Sequence, residues 1–451
     1  MHAPGEEHRA RERRPTAPYS VAFWLVAAAF GVTMLGTTLP TPLYVIYQRE
    51  LRFSTLVITL IYAAYAVGVL AALLLFGRLS DEIGRRRALL PGLAASVLSA
   101  VVFLVAYDDL ELLFVGRVLS GISAGIFTGT ATAALVDLAG RRGTGRASLV
   151  ATVVNMGGLG SGPLLAGLLA QFAPDPLRLP YAVDLGLLIA VAAGVWFMPE
   201  PVRPGGSSGT GSDADADPGS GSGSGTGSGT GPPPARTGRR RPRVMRPSVP
   251  PQVRGVFLRA AIAGFAGFSV LGLFTAVAPS FLGSVLDMPS LALSGGVVFS
   301  VFAASTAGQI LLVPRFGGAS LAAGCTGLVL GMSLLTAALA VESFELLVAA
   351  GLVAGLGQGM SFRAGLTAVN AAAPASRRAA VASTFFIVIY VALSLPVVGV
   401  GIATDLAGLR VAGIGFSVAV AVLAGSVLAA LLRHRNDAGA ASGTPGGSSS
   451  P

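Results

Sequence analysis

The stretch GRLSDEIGRRR, Gly77 to Arg87, stands between two long apolar runs. Upstream, Thr55 to Phe76 carries no charge, and such a run is long enough as a helix to cross the roughly 30 Å hydrocarbon core of a bilayer. Arg78, Asp81, Glu82, Arg85, Arg86 and Arg87 then crowd into the turn, and after Pro91 the chain is apolar again. A tight, arginine-rich turn between two membrane helices belongs on the cytoplasmic side, because short positive loops resist translocation.

The pattern is sharper than its charge. Gly77, Leu79, Asp81, Gly84, Arg85 and Arg86 fit G-x-L-x-D-x-x-G-R-[KR], which resembles the signature between the second and third helices of the major facilitator superfamily. A plain stop-transfer cluster accounts for arginines, but not for an aspartate and two glycines at fixed offsets. The resemblance implies an all-α membrane protein of twelve transmembrane helices in two six-helix bundles, with both termini cytoplasmic. It also implies a gating role for the turn. Asp81 would meet the eleventh helix, Arg85 would pair with an acid ending the fourth, matched here by Asp137, and Gly77 would allow close approach.

Composition agrees with a polytopic membrane protein. The 451 residues are 53% hydrophobic and 12% charged, with a mean hydropathy of +0.73, which no soluble core requires. The chain holds no lysine, so its net charge of +10 comes from arginine and does not imply a nucleic-acid partner. Without lysine there is no GxxxxGK[ST] phosphate loop to power transport by ATP. A single cysteine, Cys325, excludes an intramolecular disulfide and a cysteine metal cluster, and His2, His8 and His434 lie in polar tails. No enzymatic motif, catalytic residue, metal site or cofactor is expected.

Apolar runs place spans near 20–46, 54–77, 87–107, 110–138, 147–172 and 181–198, then 255–284, 290–313, 317–340, 344–373, 378–404 and 410–432. The domain reading is a tail at 1–19, a bundle at 20–198, a cytoplasmic linker at 199–254, a second bundle at 255–433 and a tail at 434–451. The linker runs through Gly/Ser repeats, which cannot bury apolar surface, and both it and the last tail are expected to be disordered. With the amino terminus inside, Arg49, Arg52, Arg178 and Arg410 fall outside and Arg117 and Arg363 within spans; every other arginine is cytoplasmic. The expected setting is a multi-pass monomer in the inner (plasma) membrane, its partners the lipid bilayer and a small-molecule substrate.

An internal repeat supports two halves. GISAG at 121–125 resembles GLGQG at 355–359, and at the same offset Gly167 meets Gly401 and Val154 meets Val388. Transporters built from repeats hold their substrate near the midplane between them.

Within the spans, Arg117, Gly121, Gly125 and Gly129 are each four apart, one helical face along which a neighbour can approach. They resemble the R-x-x-x-G-x-x-x-G pattern of the superfamily's fourth helix, whose arginine faces the cavity and is linked to proton transfer; snorkelling of Arg117 to the headgroups is the other reading. Gly158, Gly162 and Pro163 resemble the fifth-helix motif of the drug/proton antiporter branch, with Ala166-Gly167 where that motif ends Gly-Gly. Their glycine face is expected to admit a helix of the other half. LPTPLY, Leu39 to Tyr44, marks either a break that lines a cavity or a mere kink towards the outer end of the first span.

Arg363 is a charge at membrane depth, hence a substrate or coupling candidate or a structural arginine. Gln358, Asn155, Gln309, Tyr62, Tyr65 and Tyr390 are the other substrate candidates. No acid falls near the middle of a span; Asp184 lies near the outer end of the sixth. The expected activity is alternating-access transport, with proton-coupled export of a small, largely apolar compound ahead of uptake of a small, possibly anionic, metabolite. A non-transporting receptor on the same scaffold is the rival from another class.

Overall fold

The computed structural model describes residues 17–76, 84–198 and 249–442. Gly77 and Asp81 of the turn motif, residues 1–16 of the first tail and most of the linker lie outside them.

The described residues form helices and no strand. In order these are α1 (Ala17–Thr38), α2 (Tyr44–Leu51), α3 (Thr55–Phe76), α4 (Arg85–Val105), α5 (Leu110–Phe172), α6 (Leu179–Phe197), α7 (Arg254–Ser284), α8 (Leu291–Ala307), α9 (Val313–Phe316), α10 (Ser320–Val341), α11 (Phe344–Ala372), α12 (Arg378–Ala407) and α13 (Leu409–Ser442). Eleven stretches among the described residues are long and apolar enough to cross a membrane. One of them, Leu291–Val341, is 51 residues long, over twice a bilayer's thickness at about 1.5 Å per residue. It turns at Gly317 (φ 50°) and so supplies two passes, in keeping with twelve.

The breaks have local causes. Gly84 precedes α4 at φ 96°, ψ 153°, a conformation that explains why the turn motif holds glycine there. α5 continues through the expected fourth and fifth spans, broken at Gly140 (φ 67°, ψ 179°), again a backbone only glycine adopts at little cost. The first span breaks at LPTPLY, stopping at Thr38 and resuming at Tyr44, because Pro40 and Pro42 cannot donate to the ladder. α13 runs to Ser442, past Arg433, the last residue expected in the bundle, since its alanines favour helix.

Each bundle has its own core, and Tyr62 and Met156 of the first half pack into that of the second. Val26, Phe30, Leu93, Phe127 and Leu135 belong to the first, and Val270, Phe274, Val301, Leu335 and Phe385 to the second. At two of the prolines inside helices, Pro163 and Pro396, a hydroxyl of the same bundle reaches the carbonyl that the proline leaves free. Pro163 cannot bond the carbonyl of Leu159 four residues back, and Thr38 Oγ1 donates to that carbonyl at 2.7 Å. In the second bundle Pro396 likewise frees Ala392, whose oxygen lies 3.1 Å from Ser269 Oγ, a hydroxyl that also reaches Phe265 O at 2.8 Å. The sequence repeat thus has a structural counterpart: a residue of the first helix in each half satisfies the carbonyl freed by a proline in the fifth.

Candidate functional site

With the arginine-rich ends taken as cytoplasmic, the bundles meet in their outer halves. A Cβ on Gly295 would run into the backbone of Pro163, and one on Gly167 into that of Leu291. Gln171 Oε1 accepts from Ala292 N at 2.9 Å and from Ser290 Oγ at 2.7 Å. On the other side of the molecule Gly401 of α12 abuts Thr59 and Leu56 of α3.

Inward of this seam both bundles line one cavity of about 60 Å³. Tyr62, Tyr65, Arg117, Thr37, Asn155 and Leu159 come from the first half, and Phe268, Phe302, Phe362, Phe386 and Tyr390 from the second. Phe362 centres the aromatic wall, 5.1 Å from Phe268 and 6.3 Å from Phe386 between ring centroids. The volume is well below the roughly 300–1,000 Å³ that encloses a drug-sized molecule, so the bundles are drawn in around the site.

Arg117 is the charge at this site. It is only 1% exposed; Nη1 donates to Thr37 O at 2.5 Å, and its guanidinium carbon lies 5.2 Å from the Tyr65 ring, 5.5 Å from Tyr62 and 5.8 Å from Tyr44. Three ring faces offer the cation the electrostatic contact that a carboxylate would otherwise supply. Its Nε has no partner. The glycine face below Arg117 acts as expected over part of its length: Gly121 meets Tyr65 and Gly68 of α3, Gly125 meets Val69 and Ala72, and Gly129 meets nothing within 4 Å.

The fifth-span glycines differ from expectation. Gly158 abuts Gly31 and Met34, and Gly162 abuts Leu35 and Thr38, so this face packs on α1 of its own bundle. Gly160, Pro163 and Gly167 are the positions that meet α8 of the other half. The reason is helical register: residues 158 and 162 share a face, from which 160, 163 and 167 point away.

Of the substrate candidates, Tyr62, Tyr65, Asn155 and Tyr390 line the cavity, while Gln309, Gln358 and Arg363 do not. Those three form a network within the second bundle. Ser305 Oγ donates to Gln358 Oε1 at 2.5 Å, Gln309 Nε2 to Ser305 Oγ at 3.4 Å, and Arg363 Nη1 to Gln309 O at 2.9 Å. Gln309 sits in a π-helical turn, Gly308–Leu312, whose wider ladder loosens the normal carbonyl pairing. The cavity residue on that stretch is Phe362, next in sequence to Arg363. Sequence reasoning followed the charge and missed its apolar neighbour, about 100° round the helix.

At the cytoplasmic end Arg85 Nε pairs with Asp137 Oδ2 at 2.9 Å, and Arg86 donates to Trp196 O. Gly84 and these arginines are the described part of the turn motif. Among the described residues no three metal-ligating side chains come together.

Two helical bundles that close on a cavity within the membrane define a membrane transport protein. The chain belongs to the Major Facilitator Superfamily, which residues 25–319 match. It is 30% identical over 181 residues to the MFS-type transporter EfpA of Mycobacterium tuberculosis, covering 38% of this chain and 34% of that protein. It is 26% identical over 143 residues to the riboflavin transporter RibZ of Clostridioides difficile, covering 32% and 31%. The matches therefore span about a third of these relatives' length. In fold it is similar to a bacterial homologue of the human lysosomal transporter Spinster, in an inward-facing, unoccupied conformation, with a TM-score of 0.71 at 14% identity over 92% of this chain and 97% of that one. The human organic anion transporter MFSD10 gives 0.62 at 16% identity, over 92% and 100%.

Proposed function

We propose that this transporter exports small, largely apolar aromatic compounds from the cytoplasm across the plasma membrane as a monomer, driven by inward proton flow. The observation that carries the cargo class is the cavity lining: rings from both bundles, one arginine, and no acid among the described lining residues. Such a wall favours flat apolar molecules. A buried, acid-free site also disfavours lipophilic cations and accepts neutral or weakly anionic cargo, since Arg117 is the charge that faces it. The direction rests on the resemblance of Gly158, Gly162 and Pro163 to the antiporter motif. A riboflavin transporter and an organic anion transporter among the similar proteins are in keeping with aromatic and anionic cargo.

The test is flux in proteoliposomes under an imposed proton gradient, with a panel of neutral, anionic and cationic aromatic dyes. Uphill movement of neutral and anionic members against proton flow is expected. Cation-selective flux, or flux indifferent to the gradient, would overturn the reading.

A further inference from the structure

Proton-driven export needs a group that takes up and releases a proton inside the membrane, and among the described residues the cavity lining holds no acid. Asp184 lies elsewhere, in the second turn of α6, about 8 Å along the helix from its outer end. It is 3% exposed, and its Oδ1 has no hydrogen-bond partner. A carboxylate so placed would leave a buried charge unpaired, which is costly; intramembrane acids of this kind are characteristic of proton relays.

The surroundings leave the charge unanswered. Tyr181, one turn earlier on α6, is buried with its ring 5.1 Å from Phe103 and its hydroxyl against that of Tyr47 on α2. α1 and the break after it carry no titratable group between Val21 and Leu43, α4 none between Ala88 and Val105, and the fifth span none between Ala147 and Phe172. At the ends of α6, Arg178 stacks over Tyr107 at 4.6 Å and Arg86 bonds Trp196 O. Arg117 is the one buried cation on the fourth span, and it points to Thr37 O and three tyrosine rings.

What Asp184 does touch is α1. A Cβ on Gly36 would stand 2.7 Å from its Oδ2. The next residue, Thr37, gives its carbonyl to Arg117 and lines the cavity, and the proline break follows directly. α1 therefore presents one residue to the acid and the next to the arginine of the binding site.

We propose that Asp184 is the proton-binding site of this transporter, and that α1, hinged at Leu39 to Leu43, carries its charge state to Arg117 and the cavity. The inference rests on the proton-driven reading above. Only an O–H bond forms or breaks: the proton comes from water on one side and returns to water on the other. Protonated, Asp184 suits the closed α1–α6 packing seen here. Ionised, it favours an arrangement in which α1 moves from α6 and admits water, shifting Thr37 and with it Arg117.

Two readouts that need no cargo test it. Infrared difference spectra of the detergent-purified protein between acid and alkaline pH should show a protonated-carboxyl band that moves on carbon-13 labelling of aspartate and is missing in Asp184→Asn. A cysteine placed at Asn155 (Asn155→Cys), with the native Cys325 buried elsewhere and free, should react with a thiol reagent at a rate that changes several-fold with pH, and that dependence should vanish on adding Asp184→Asn. If Asp184→Asn keeps the whole wild-type aspartate band, or keeps the wild-type pH dependence of labelling, the proposal falls; because eleven other aspartates also titrate, Asp184→Glu, whose band escapes the aspartate isotope shift, makes the assignment if Asp184→Asn does not fold. Positive readouts with no proton-driven flux of any dye would instead overturn the export reading and leave the proton site standing.

Discussion

At the scale of single residues, the contrast between Arg117 and Arg363 carries the most information. Both are lone arginines within spans, and only Arg117, through the glycines that follow it every four residues, carries a local pattern that points to the cavity. Arg363 satisfies a carbonyl in the π-helical turn that follows α8, whereas Arg117 stands at the cavity among three tyrosines. Arg117→Gln removes the ring contacts and the charge-assisted bond to Thr37 O, and the expected cost is on the order of 2 kcal/mol, read as a lower unfolding midpoint. Among cavity ligands, it should weaken binding of anionic dyes while leaving neutral ones nearly unchanged, measured by fluorescence titration. Equal loss for both classes would show that Arg117 shapes the site instead of selecting charge. The tyrosines were legible because polar rings in apolar spans stand out. Phe268, Phe302 and Phe386 were not, because in a chain this apolar a phenylalanine facing a cavity looks like one facing lipid.

At the scale of helices, the turn motif, the span positions and the proline breaks were all readable, since charge, run length and proline chemistry act locally. The partners of the prolines were not. Thr38 and Leu159 are 121 residues apart, and Ser269 and Ala392 are 123 apart, so only the packed fold joins them. The same limit explains the fifth-span glycines: their spacing promises a close neighbour, and the tertiary arrangement decides that it is α1. Thr38→Val and Ser269→Ala each orphan a carbonyl freed by proline, with an expected cost of about 1–3 kcal/mol. The two sites lie in different bundles and share no partner, so the double variant should show a nearly additive loss in chemical denaturation. A cost in only one half would mean that the matching geometry does not carry matching energy.

At the scale of the whole molecule, the outer seam and the small cavity describe one state of a two-state machine. The bundles touch where glycines let backbones meet, at Gly167 and Gly295 on one side and at Gly401 on the other. In lipid, apolar side chains gain little by leaving the acyl chains, and close backbone packing holds helices together instead. A bulky residue at these positions therefore acts on the closed outer seam while leaving each bundle's own core intact. Gly167→Val would drive a side chain into the backbone of Leu291, and Gly401→Val into Thr59 and Leu56. Each variant is expected to fold, to retain its bundle stability and to shift the population towards the outward-open state. The check uses Asn155→Cys, at the cavity, with a membrane-impermeant thiol reagent added outside sealed, right-side-out vesicles. Labelling should be slow with the native seam, faster in either valine variant and fastest in the double variant, because the two contacts lie on opposite sides of the same closure. Labelling that stays slow in all three would mean that the glycines serve packing alone and that the outer seam does not open.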